Sequence, residues 1–185
     1  MKYIFDFDDV LFNTSCNPKN FREHIYSSLE KAGVPHNLSK EYVEKERWNK
    51  FSLKKMLAHF SVNENMYKEI MGKNKSFVKN ELITWIKKLG KSNCYVVSYG
   101  EAEYQIDKIE RTGVSSLFSE IIVVSGSKKE AIEKICTKHK EEKVVFIDDK
   151  AKHFEDLDFK KYPNLKTILY TGQNAKSLIM NEINE

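Results

Sequence analysis

The chain has 185 residues, enough for one domain or one domain with a modest insertion. With 41% hydrophobic and 12% aromatic residues, three prolines and seven glycines, it is not a disordered chain, and its short apolar runs exclude a membrane span. The net charge of +4, from 31 basic and 27 acidic residues mixed along the chain, suits a small anionic ligand and speaks against nucleic acid as a partner.

The first element, "KYIFDFDDVLFNT" (residues 2–14), is a strand-like apolar run that carries Asp6, Asp8 and Asp9, with no Lys or Arg between Lys2 and Lys19. Ionised carboxylates set against a core require a partner. No signal or transit pattern precedes the run, which predicts a cytoplasmic location. Cys16, Cys94 and Cys136 agree with that compartment, being odd in number, widely spaced and without metal-binding spacing.

A helical stretch follows. "FREHIYSSLEKAG" sets Phe21, Ile25 and Leu29 on one face, with Gly33 as its stop. "LSKEYVEKERW", "LKKMLAHF" and "NMYKEIM" also read as helices, and "VKNELITWIKKLG" aligns Leu82, Ile86 and Leu89 before the second strand. A crossover between parallel strands needs only one helix. The surplus predicts an inserted helical subdomain over residues 15–80, with a core formed by residues 1–14 and 81–185.

Beyond it, "CYVVS" ends at Ser98, "EIIVVS" at Ser125, "KVVFIDD" at Asp148 and Asp149, and "KTILYT" at Thr171. Such continuous β-branched runs, separated by helical stretches, predict an α/β fold with a Rossmann-like parallel sheet and helices on both faces. Ser98 and the following amides of Tyr99 and Gly100 are placed to face an anion, although a strand-end Ser also serves as a turn or cap residue. Tyr99 either lines a pocket or packs. In "SGSKKEAIEKI", Ser127 and Glu130 form a capping box. Lys128 and Lys129 then lie in the first helical turn, against the dipole, where an anionic ligand would make a cation useful.

In open parallel sheets the carboxyl ends of the strands form the ligand edge. With the first and fourth strands adjacent, Asp6, Asp8, Asp9, Asp148 and Asp149 converge on that edge. Such a cluster repels itself without a cation, and all-oxygen donors fit Mg²⁺.

These four elements, in this order, resemble the haloacid dehalogenase (HAD) superfamily over residues 1–14 and 90–171. "FDFDDVLFNT" looks like the first motif of that family, "YVVSYG" the second, "SKKEAI" the third and "VVFIDD" the fourth. The insertion at residues 15–80 sits where some members carry a helical cap. The resemblance implies a Mg²⁺-dependent phosphatase acting on a small phosphomonoester of the nucleotide or sugar phosphate type. A phosphomutase using the same residues and a non-catalytic ligand-sensing protein are its alternatives. By resemblance, Asp6 is the nucleophile that becomes an aspartyl-phosphate. Asp8 protonates the leaving oxygen and then activates water, which predicts a raised pKa from burial and neighbouring carboxylates. Ser98 and Lys128 hold the phosphoryl group, with Lys129 as the alternative to Lys128. Asp6, the backbone carbonyl of Asp8, and Asp148 bind the metal, with Asp149 assisting. Asp8 also speaks for phosphoryl transfer over the dehalogenase branch.

Some positions depart from the common pattern. Val10 stands where Thr is more usual, and Asp9, in place of a frequent Gly, reads as a turn or supporting residue. Lys150 after the acidic pair is unusual, and Glu155 or Asp156 is left to supply an outer acid. Substrate choice is assigned to the insertion and its hinges, near Asn13, Thr14 and "SYGEAE". Arg22, Arg47, Trp48 and Lys50 are candidates for touching substrate, although long charged side chains on a helix are ordinarily solvated. Cys16 is expected to be an inert thiol. Oligomeric state is not legible.

Overall fold

The structure, a computed structural model, describes residues 1–16, 18–46 and 50–172. Among these residues, five strands form one sheet: β1 (Lys2–Phe5), β2 (Cys94–Tyr99), β3 (Glu120–Val124), β4 (Val144–Asp148) and β5 (Leu165–Leu169). All pairings are parallel, in the order β3-β2-β1-β4-β5. The first strand therefore lies between the second and the fourth, and the strand order reverses beside it. That reversal opens a crevice at the carboxyl edge.

Strand residues alternate between two helical layers, as a period of two requires. Tyr3, Phe5, Cys94, Val96, Val145 and Ile147 pack on one face, against α5 (Asn80–Leu89) and α6 (Ala102–Thr112). Ile4, Tyr95, Val97, Val144 and Phe146 pack on the other, against α7 (Lys129–Lys138). The three central strands are buried on both sides. The edge strands β3 and β5 are only half covered, so the two-sided burial that their apolar runs suggest is incomplete there.

Among the described residues, four α-helices separate β1 from α5: α1 (Phe21–Lys31), α2 (His36–Glu46), α3 (Leu53–His59) and α4 (Asn65–Met71). Asn20 caps α1 by accepting a hydrogen bond from Glu23 N at 2.9 Å, and Gly33 adopts φ +88° just beyond its end. The apolar faces of this insertion are continuous with the α5/α6 side of the sheet, in one cluster running from Phe5 and Trp85 through Phe12 and Phe21 to Met71. The chain leaves and re-enters the core at adjacent points. Phe12 and Val78 form an antiparallel bridge, Asn13 N donates to Phe77 O at 2.8 Å, and Lys79 N donates to Leu11 O at 2.9 Å.

Helix α7 starts at Lys129, so Lys128 occupies the cap position and not the first turn. Ser127 Oγ still accepts from Lys129 N, at 3.0 Å. Arg47 and Trp48, candidates from the sequence, lie outside the described residues. Among the described residues, no helix is long and apolar enough to cross a membrane.

Candidate active site

Asp6 is the first residue beyond β1, and its N–H still bonds Ile147 O of the neighbouring strand at 2.9 Å. Asp148 is the last residue of β4. The shared register puts both carboxylates at one edge, where they are almost completely buried. Lys128 lies between them, its Nζ 2.8 Å from Asp6 Oδ1 and 2.7 Å from Asp148 Oδ2. Lys129 turns away, to the Asp156 carbonyl and Glu133. Of the two lysines, only Lys128 reaches the carboxylates.

Burial pushes the Asp6 carboxyl up to about 6, against the downward pull of Lys128. Asp148 meets the same burial, but hydrogen bonds from His153 and Lys128 outweigh it and hold that carboxyl low. His153 Nδ1 is 2.8 Å from Asp148 Oδ2, and Lys150 N donates to Asp148 Oδ1 at 2.9 Å. Asp149 Oδ1 is buried without a hydrogen bond, and its nearest cation is Lys150 Nζ at 3.6 Å. Burial raises the Asp149 carboxyl. An orphaned buried carboxylate oxygen beside two further carboxylates is a donor set that fits a hard divalent cation. Asp6, Asp148 and His153 also offer ligand atoms within 4.8 Å of one another.

Asp8 faces a different environment. Its two oxygens accept from Lys108 Nζ at 2.6 and 2.9 Å, and it also accepts from Thr14 Oγ1 and Gln105 Nε2. Burial would raise the Asp8 carboxyl, but Lys108 and these hydrogen bonds lower it to about 2. The raised value expected for an acid catalyst is thus reversed, because a lysine contacts Asp8 where carboxylates were expected. Lys108 is only 3% exposed, and its ammonium sits 5.3–5.6 Å from the ring centres of Tyr104, Phe7 and Phe12.

Ser98 is fully buried, and its Oγ accepts from the same Gln105 Nε2 at 2.6 Å, so Gln105 links β2 to Asp8. Gly100 N donates to Val124 O at 3.0 Å, which continues the sheet ladder and removes this amide from the anion-facing set expected of it. Tyr99 is 37% exposed and lines the cleft. Asp9 holds a turn: it has φ +58° and accepts from Ser15 N at 2.7 Å and Ser15 Oγ at 2.6 Å.

Lys108, Gln105 and His153 were not found from sequence. Lys108 had a signal, since it lies midway between Tyr104 and Thr112 at helical spacing, in a register whose other members are buried.

Cys16 is an exposed residue whose thiol is partly shielded. That shielding, then the Asp9 carboxylate, pushes it up to about 11. At pH 8 its alkylation by iodoacetamide is expected to run about 100-fold slower than that of a free thiol, because so little thiolate is present. Mass spectrometry over a time course checks this, and labelling at the free-thiol rate would contradict it.

Two connected spaces open onto these groups. A cleft of about 760 Å³ is lined by Asp6, Lys128, Asp149 and His153. A chamber of about 160 Å³ lies between the insertion and α6, and Asp8, Arg22, Tyr99 and Lys150 border both spaces.

No family model matches the chain, and no curated protein matches it in sequence. Solved structures do. A haloacid dehalogenase-like hydrolase from Burkholderia xenovorans superposes with a TM-score of 0.62 at 16% identity, covering 90% of this chain and 82% of the other. The HAD-hydrolase YfnB from Bacillus subtilis, bound to magnesium, gives 0.53 at 16% identity, covering 91% and 85%. L-2-haloacid dehalogenase from Xanthobacter autotrophicus gives 0.52 at 12%, covering 96% and 82%. With the strand order above, these superpositions give the chain the fold of the haloacid dehalogenase superfamily.

Proposed function

We propose that the chain is a divalent-metal-dependent phosphatase of small phosphomonoesters that works through a covalent intermediate on Asp6. The observation that carries this reading is the pairing of Asp6 and Asp8 at the mouth of one cleft, each with its own buried lysine. Asp6 attacks phosphorus, the phosphorus–oxygen bond to the leaving group breaks, and an aspartyl-phosphate forms. Lys128 neutralises charge on the phosphoryl oxygens, while Ser98, fully buried, accepts from Gln105 and so orients the amide that also bonds Asp8. Asp8, ionised and tied to Lys108, is suited to take a proton from the water that hydrolyses the intermediate. The leaving oxygen needs a proton in the first step, which a phosphomonoester monoanion brings with it and Asp8 relays to that oxygen. Asp6, Asp148, Asp149 and the Asp8 carbonyl would hold Mg²⁺, whose charge keeps Asp6 ionised and offsets the transferring phosphoryl. The magnesium reported for YfnB supports that choice of ion.

The test is phosphate release from p-nitrophenyl phosphate and a panel of small phosphomonoesters, with Mg²⁺ and with EDTA. Turnover is expected with Mg²⁺ and not with EDTA. Because a dehalogenase shares the fold, 2-haloacids belong in the same panel. Halide release without phosphate release would replace this reading, and conversion of a phosphomonoester to its isomer would replace it with a mutase.

A further inference from the structure

Three cations line the chamber with only long ion pairs, or none, to hold them. Among the described residues, the side chains of Arg22, Lys50 and Lys150 make no ion pair closer than 3.6 Å. The nearest carboxylates are Glu44, 3.8 Å from Arg22, and Asp149, 3.6 Å from Lys150. The buried cations behave differently: Lys108 and Lys128 are each matched by carboxylates at 2.9 Å or less. Arg22 is also half-buried and stands in the first turn of α1, where the helix dipole disfavours positive charge. The rest of the wall combines Phe21, Ile25, Val43, Phe51, Tyr99 and Tyr104 with Thr14, Gln105 and the Asp8–Lys108 pair, and its two other carboxylates, Asp9 and Glu101, accept hydrogen bonds from Ser15 N and Tyr104 N. Lys150, unexplained by the sequence pattern, borders both the chamber and the cleft.

We propose that the substrate carries a second anionic group, on a compact leaving portion that enters this chamber and is held by Arg22, with Lys50 and Lys150 beside it. This rests on the phosphatase reading above. A chamber of about 160 Å³ is close to the size of cavity that holds benzene, so the leaving portion has roughly six non-hydrogen atoms. The second anion is a carboxylate or a second phosphoryl group. Either matches the planar fork of Arg22.

The test is calorimetric binding of three unreactive ligands to the full chain in magnesium buffer. Propylphosphonate has one anionic group, 3-phosphonopropanoate adds a carboxylate, and propane-1,3-diphosphonate adds a second phosphonate. At least one doubly anionic ligand is expected to bind about tenfold tighter than propylphosphonate, and its identity tells carboxylate from phosphoryl. In Arg22→Gln that ratio falls toward one, and Lys150→Gln lowers it in part. Equal affinities in the unmodified protein, or a ratio that neither variant changes, would overturn the proposal. So would failure of all three ligands to bind while p-nitrophenyl phosphate is still hydrolysed, which leaves the phosphatase reading standing. Anion preference without hydrolysis of any phosphomonoester would instead keep the site and remove that reading.

Discussion

Replacing Asp6 with Asn is expected to lower phosphate release by about 10³-fold or more, while the protein stays folded. The amide keeps the shape of the carboxylate but cannot attack phosphorus, and Lys128 retains Asp148 as a partner at 2.7 Å. The same variant has a second signature, in stability. Burial raises the Asp6 pKa from 3.8 to about 6, so the folded protein binds this proton more tightly than the unfolded chain does. The favourable contribution is present below pH 3.8 and is lost as the pH rises through 6. Metal-free wild type should therefore lose stability between pH 4 and pH 6.5, and Asp6→Asn should lose less. Urea unfolding of both proteins across that window checks the sign. Full turnover in the variant would end the nucleophile assignment, and identical pH profiles would contradict the burial account.

Removing the partner of Asp8 is expected to cost stability as well as activity. Lys108→Met leaves a buried carboxylate without its cation, a change worth about 3 kcal/mol when one partner of a buried pair is lost. The figure sits at the lower end of the usual range because the Asp8 side chain is 21% exposed to water. In wild type the depressed Asp8 pKa stabilises the fold above the unfolded value of 3.8, and that contribution disappears as the pH falls through about 2. In Lys108→Met, burial acts unopposed by the lysine and the Asp8 pKa rises. The double variant Asp8→Asn with Lys108→Met should regain most of the lost stability, since no unpaired charge remains. Additive losses in the double variant would show that the two side chains do not act as a pair.

The sheet was legible because β1, β2 and β4 are buried along nearly their whole length, and burial on both faces writes itself as unbroken apolar runs. Asp6 and Asp148 stood out for the same reason, as charges at the ends of such runs. Lys108 was hidden because a lysine on a helix normally signals a solvated face, and only contact with Asp8 makes a buried one tolerable. That omission also reversed the expected pKa of Asp8, since reasoning from the sequence surrounded it with carboxylates alone. The Gly100 amide was misassigned because a strand's last ladder bond depends on its neighbour, and Val124 O is remote in sequence. His153 meets Asp148 through the tight turn at Ala151–His153, a local geometry with no periodic pattern to announce it.

The bridge between Phe12 and Val78 has a consequence for how such a chain can diversify. Residues bridged in this way have α-carbons only about 5 Å apart. Everything between them is thus a closed loop as seen from the sheet, whatever its length. A longer or shorter segment with the same closely spaced ends can be accommodated there without moving β1, provided that it keeps Thr14 and Ser15, which hold Asp8 and Asp9.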